Sequence, residues 1–194
     1  MGGELIDLLL HAARLDLMER IGPWPTAESI AYTRTAGIDT TQIAPFVGAF
    51  GVVRITDHGH GLFEFDEHGV PGFVFETYGI DGESVVDLVG WTLDRPDTPL
   101  SMFGRVGLLN LWDAFGTGTY VMEGALVVHA THLAWLQSGC SGGSAIVAEG
   151  IAARQLLDLP GRIVAANHHH ARKLRALAKS VVRDDLVLLP RNAA

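Results

Sequence analysis

SAIVAEGIAARQLLDLPGRIVAANHHHARKLRALAK, residues 144–179, alternates short apolar runs with longer segments of helical spacing. SAIVAE and RIVAA are too short for stable helices and carry β-branched residues that suit a pleated surface, so both read as strands. IAARQLLDL reads as a helix stopped by Pro160, which has no amide to donate. HHARKLRALAKSVV reads as a second helix. Its Leu174, Leu177 and Val181 fall on one face, and Arg172, Arg175, Lys179 and Arg183 on the other at steps of three and four. Strands that alternate with helices need crossover connections and so pair in parallel.

Extending the alternation both ways gives TYVME (119–123) as a strand, LVVHATHLAWLQSG (126–139) as a helix ending at Gly139, and LVLLP (186–190) as a last strand. The spacing predicts an α/β unit over residues 99–194 with a mainly parallel, four-stranded sheet built from 119–123, 144–148, 162–166 and 186–189. SMFGRVGLLNLWDAF (101–115) is spaced as a buried helix in front of that sheet. Upstream the pattern differs. Residues 4–50 read as short helices, with Thr26 as an N-cap and Gly37 as a stop. GVVRIT, LFEFD, GFVFETYG and SVVDLVGW then follow as strands about ten residues apart, separated by the turn-forming HGHG, EHGVPG and IDGE. Residues 1–98 are therefore expected to be α+β, short helices followed by an antiparallel meander whose pairing pauses at Pro71 and Gly72. PDTPL around residue 98 marks the boundary.

A chain of 194 residues with 48% hydrophobic and 19% charged residues has the balance of a globular protein rather than a disordered one. Glu4, Asp7, Asp16 and Glu19 interrupt the first apolar stretch at helical spacing, which reads as an amphipathic helix and not as a signal peptide. No apolar run reaches the roughly 18 residues of a membrane span, so no membrane partner is expected. Cys140 is the only cysteine, no intrachain disulfide is possible, and the expected compartment is the reducing cytoplasm. The net charge of -8 is unevenly placed. Residues 151–194 hold eight of the 14 Lys and Arg but three of the 22 Asp and Glu, a surplus of five positive charges beside a remainder at -13. Arg172, Arg175, Lys179 and Arg183 either meet the phosphates of a nucleic acid or lie as a solvated face, balanced by the acidic half of the protein.

Several motifs carry chemistry in other settings. GCSGG (139–143) fits G-x-S-x-G, with Asp158 and His168 following in the order of nucleophile, acid and histidine. A nucleophile elbow needs a strand before its serine and a helix after it, and around Ser141 the expected order is reversed, so these glycines read as a helix end and a turn. GTGTY (116–120) lacks the Lys-Ser or Lys-Thr of a phosphate loop and reads as a turn. His58, His60 and His68 sit on polar turns beside Asp57, Asp66 and Glu67, and His129 and His132 are spaced i, i+3; each set is either a metal site or a group of solvated or packed side chains. Of the three adjacent histidines 168–170, neighbours at a helix start point about 100° apart, so at most one or two could serve a single ion.

In its order of elements, TYVMEGALVVHATHLAWLQSGCSGGSAIVAEGIAARQLLDLPGRIVAANHHHARKLRALAKSVVRDDLVLLP resembles a Toprim domain, the module of primases, topoisomerases and related nucleases. Glu123-Gly124 matches the Glu-Gly that ends the family's first strand. Asn167-His168-His169 stands where the family has Asp-x-Asp, and Ala171 and Arg172 where an Ala-Gly often follows in phage primase versions. The resemblance implies a divalent metal near Glu123, Asn167, His168 and His169. Toprim enzymes hold Mg²⁺ with carboxylates, and an amide oxygen and an imidazole nitrogen are poor ligands for that hard ion. It therefore implies an inactive relative that associates with nucleic acid, or one whose histidines take a softer metal such as zinc. The other readings are a hydrolase using Ser141, with Glu123 as a further catalytic candidate, or using a His-held metal, and a structural module that binds a protein partner or a second copy of itself.

Overall fold

The computed structural model describes residues 2–23 and 25–181; the expected strand at 186–189 and Arg183 lie outside the described residues. Three helices come first: α1 (Gly2–Ile21), α2 (Ala27–Thr35) and α3 (Thr40–Ile43). The Thr26 hydroxyl accepts from the Ser29 amide at 3.1 Å and caps α2, and Gly37 turns the chain away at φ +69°. Among the described residues no helix is long and apolar enough to cross a membrane.

β1 (Val47–Gly59), β2 (Leu62–Phe65), β3 (Val70–Tyr78), β4 (Val85–Thr92) and β5 (Leu100–Ser101) close into a barrel in the order β1-β2-β5-β4-β3. The four runs read as strands are strands, but they do not form a simple meander. The long β1 pairs antiparallel with both β2 and β3, and a parallel pairing of Leu62 with Ser101 closes the ring. Nor does pairing pause at Pro71 and Gly72, which lie opposite Arg54 and Val53. Pro71 gives up an N–H, yet its carbonyl still accepts from Leu93 N at 3.0 Å. Val53, Ile55, Phe63, Val74, Leu88 and Leu100 bring every strand into one core, to which α1 adds Leu10 and Leu17. At Gly90 a Cβ would run into the Phe73 carbonyl of the neighbouring strand, so glycine is what lets β3 and β4 approach there.

The C-terminal part continues with α4 (Leu111–Phe115), α5 (Thr117–Met122), β6 (Leu126–His129), α6 (His132–Gln137), β7 (Gly143–Ala145), α7 (Glu149–Asp158), β8 (Ile163–Ala165) and α8 (His168–Ser180). Its sheet is parallel, with three described strands in the order β7-β6-β8. The expected strands 144–148 and 162–166 correspond to β7 and β8. The expected strand 119–123 is instead mostly the helix α5, in which Thr119 is buried while Val121 and Met122 stand 80% and 83% exposed. The central strand is 126–129, expected to open a helix. Leu126 and Val128 are buried and Val127 is exposed, a period of two, and Thr131 then caps α6 by accepting from Ala134 N at 3.1 Å.

The helix expected over 101–115 is also corrected. Only 111–115 is helical, because the Asp87 carboxylate and the Gln155 side chain take the amides of the preceding loop: Phe103 N, Arg105 N and Leu108 N donate to them at 3.0, 2.7 and 2.8 Å. The loop's apolar spacing is used all the same, since Val106, Leu108 and Leu109 are fully buried. The barrel and the parallel sheet share a core. Trp135, Leu136, Cys140 and Val147 pack with Phe73, Phe75 and Trp91, and the Trp135 and Phe75 ring centroids are 6.2 Å apart.

Candidate functional site at the carboxyl ends of the parallel strands

The turn from β8 into α8 is first of all a helix start. Asn167 is extended at φ -162°, and its Oδ1 accepts from His170 N at 2.9 Å, the N-cap geometry. His168 and His169 are exposed, while His170 turns inward beside the buried Leu174. The His170 Nδ1 accepts from Ala166 N at 3.3 Å, which leaves Nε2 to carry the ring proton of the neutral form. Burial, then the charges of Lys173 and His169, lower its pKa from the usual value.

Two more histidines meet this turn from the central strand. His129 ends β6 with its Nε2 3.3 Å from Ser138 Oγ, and its pKa is lowered by burial and then by His170. His132 opens α6 and is 3% exposed, tilted against the Trp91 ring with the centroids 6.2 Å apart. Neither of its ring nitrogens has a hydrogen-bond partner among the described residues. Burial pushes its pKa down to about 4, opposed by the Ile146 backbone, which approaches the ring without meeting hydrogen-bond geometry. A neutral imidazole has one donor and one acceptor, and burying both unpaired is expensive.

These side chains line a cleft of about 580 Å³ between α8 and the barrel loop at Asp97 and Pro99. Its floor is formed by Ile146 and Val147, which follow β7; Leu174 and Leu177 form the α8 wall; Glu149 and Lys173 add charge. A smaller cleft of about 330 Å³ lies at the 79–83 turn, beside Phe46, Tyr78 and the exposed Trp112. Of its carboxylates, Asp81 is occupied by Glu83 N and Ser84 N, at 3.1 and 2.9 Å.

The residues singled out from the sequence are not gathered at one centre. Glu123 caps the carboxyl end of α5, before β6 begins, and its side chain lies alongside Gly142, whereas Asn167, His168 and His169 follow the end of β8. With β6 and β8 parallel, Leu126 opposite Ile163 and Val128 opposite Ala165, Glu123 and Asn167 sit at opposite ends of the sheet. Among the described residues no group of three or more His, Cys, Asp or Glu could hold a metal ion, and His58 instead pairs with Glu64 at 2.9 Å. Ser141 is exposed on the turn before β7, at the amino ends of the strands and across the sheet from His168, with a helix before it and a strand after it. The neighbouring Cys140 is buried, and burial drives its thiol pKa strongly up, away from thiolate chemistry. Arg172, Arg175 and Lys179 are exposed along α8 and enter no ion pair among the described residues.

His170 was legible only as one of three histidines, and the periodicity around Leu174 is the signal that would have turned it inward. His132 had been paired with His129 as helical neighbours, and the strand at 126–129 separates their roles. In comparisons with known proteins the chain matches no family model, no curated protein and no solved structure.

Proposed function

We propose that this protein associates with nucleic acid through the outer face of α8 and binds it without cleaving it. What supports the reading is the row of Arg172, Arg175 and Lys179, exposed on one face of a helix and free of carboxylate partners among the described residues. The row extends over about 10 Å of helix at 1.5 Å per residue, enough to follow neighbouring phosphates. A backbone-binding reading needs no metal, and it keeps the nucleic-acid side of the Toprim resemblance without a catalytic claim for Glu123, Asn167, His168 and His169. The acidic remainder of the chain opposes the interaction beyond short range, so binding is strongest at low ionic strength.

Fluorescence anisotropy with labelled single-stranded and duplex DNA and RNA tests the proposal. Three phosphate contacts give a log-log salt slope of about -2 on single strands and about -2.7 on duplex DNA. Reversing the three cations together (Arg172→Glu, Arg175→Glu, Lys179→Glu) abolishes binding while the circular dichroism spectrum is retained. Absence of any complex at low salt, or a triple variant that binds as the parent does, overturns the reading.

A further inference from the structure

α1 is apolar on two opposite sides. At about 100° per residue, Leu10, Ala13, Leu17 and Ile21 share the side that packs on the barrel core. Leu5, Leu8, Ala12 and Leu15 fall on the far side, all exposed, with the exposed Leu9 beside them. We propose that this outer side is the interface of a two-fold dimer, in which α1 packs antiparallel against α1 of a second copy.

The spacing is the first ground. Residues 5, 8, 12 and 15 repeat at steps of three and four, the period that keeps one seam turned toward a facing helix. A two-fold axis near residue 10 sets Leu5 against Leu15 of the second copy and Leu8 against Ala12, a large side chain over a small one, and brings the two Leu9 side chains together at the flank. Area is the second ground. Leu5, Leu8, Leu9 and Leu15 are between 49% and 64% exposed, which leaves on the order of 400 Å² of apolar surface in one patch, the size that marks an interaction site. Joining two such sides, with His11, Asp16 and Met18 at their flanks, takes on the order of 1,000 Å² out of water, the lower limit for a specific interface. The dimer is accordingly weak, with a Kd on the order of 10 μM.

Charge selects the direction and the occupant. Glu19 continues the seam and is exposed. In a parallel pair it would face Glu19 of the second copy, whereas in an antiparallel pair it lies toward the amino end of the second helix, where the helix dipole favours an anion. A lipid surface fits less well. α1 carries Glu4, Asp7, Asp16 and Glu19 against Arg14 and Arg20, and both arginines are held in ion pairs, with Glu76 and Asp16. A helix that lies on anionic lipid needs free cations beside its apolar face.

Sedimentation velocity of the full chain from about 1 to 200 μM tests the dimer, and a reversible monomer–dimer equilibrium is expected within that range. Leu8→Glu with Leu15→Glu places four carboxylates in the seam and should raise the Kd at least about a hundredfold. Both positions are exposed in the single copy, so the thermal midpoint at low concentration should stay at the parental value. Single cysteines read the direction separately, since the native Cys140 is buried. Leu9→Cys should be joined to its counterpart by a short bismaleimide, and Glu19→Cys should not, because the two Glu19 positions lie about 27 Å apart along the antiparallel pair at 1.5 Å per residue. A protein that remains monomeric at the highest concentration overturns the proposal, as does a dimer that survives the double leucine variant. Efficient cross-linking through Glu19→Cys overturns the antiparallel arrangement. Co-sedimentation of a monomeric parent with phosphatidylglycerol vesicles, lost in the double variant, overturns it in favour of a lipid surface.

Discussion

Arg14 of α1 donates from Nε to Glu76 Oε1 of β3 at 2.6 Å, and the Glu76 side chain is only 4% exposed. The other carboxylate oxygen accepts from Ala49 N of β1 at 3.0 Å, so one buried acid ties the first helix to two barrel strands. Removing the guanidinium would leave that acid in place without its counter-charge. Because Arg14 itself is partly exposed, water takes over some of its role, and Arg14→Ala is expected to cost about 1–3 kcal/mol. Urea denaturation of the parent and the variant measures this, and an unchanged midpoint would show that Leu10 and Leu17 alone seat α1.

Asp87 plays the comparable part on the neighbouring strand β4, where it lies opposite Thr77 of β3. It is fully buried on β4, and its carboxylate accepts from Ser101 Oγ at 2.6 Å and from the amides of Leu88, Phe103 and Arg105 at 2.8, 3.0 and 2.7 Å. Burial raises its pKa while these four donors oppose the rise. Asp87→Asn turns an amide NH₂ toward donors that need an acceptor, and a loss of about 2–4 kcal/mol is expected, with faster hydrogen exchange over residues 101–105. A variant with parental exchange in that segment would contradict the role given to Asp87.

Gly90→Ala adds one methyl group at the point where β4 faces the Phe73 carbonyl. The contact is with backbone, which cannot rotate away, so the barrel must separate locally. A loss of about 1–3 kcal/mol is expected, as for overpacked cores. Gly118, whose added Cβ would meet nothing within 4 Å, serves as the control in the same thermal melts, and equal effects at the two positions would contradict the close approach.

The barrel strands were legible because GVVRIT, LFEFD, GFVFETYG and SVVDLVGW carry enough β-branched and aromatic residues to fix their type; their pairing was not. Nothing local to β1 announces that it will sit between β2 and β3, since that depends on its length and on the closure between Leu62 and Ser101. The misreadings farther on share a cause. TYVME and LVVHATHLAWLQSG are short apolar runs in which helix and strand patterns cannot be separated by periodicity, and burial on one side decided each. In 102–110 the backbone partners are side chains distant in sequence, Asp87 and Gln155, which no local pattern contains. Asn167 was within a recognised helix start, but the inward turn of His170 and the isolation of His132 depend on tertiary packing against Leu174 and Trp91.

His132 leads to a prediction about acid stability. Its folded pKa, about 4, lies below the value of about 6.5 for an unperturbed histidine, because burial penalises the charged ring. At pH 7 the ring is mostly neutral in both states and contributes little to the pH dependence. Between pH 6.5 and 4 the unfolded chain takes up a proton that the folded protein refuses, so stability falls as the pH falls. Below pH 4 both states are protonated and the loss levels off, at about 3 kcal/mol for this one group. His129 and His170, also lowered by burial, add to the slope as the pH falls below the usual histidine value. His132→Phe should therefore match or exceed parental stability at pH 7, since it removes two unpaired buried nitrogens, and should show a shallower decline toward pH 4 with the contribution of the other two histidines remaining. Urea midpoints for both proteins at pH 7, 6, 5 and 4 test this, and parallel declines would mean that the His132 ring gains its proton in the folded state as readily as in the unfolded one.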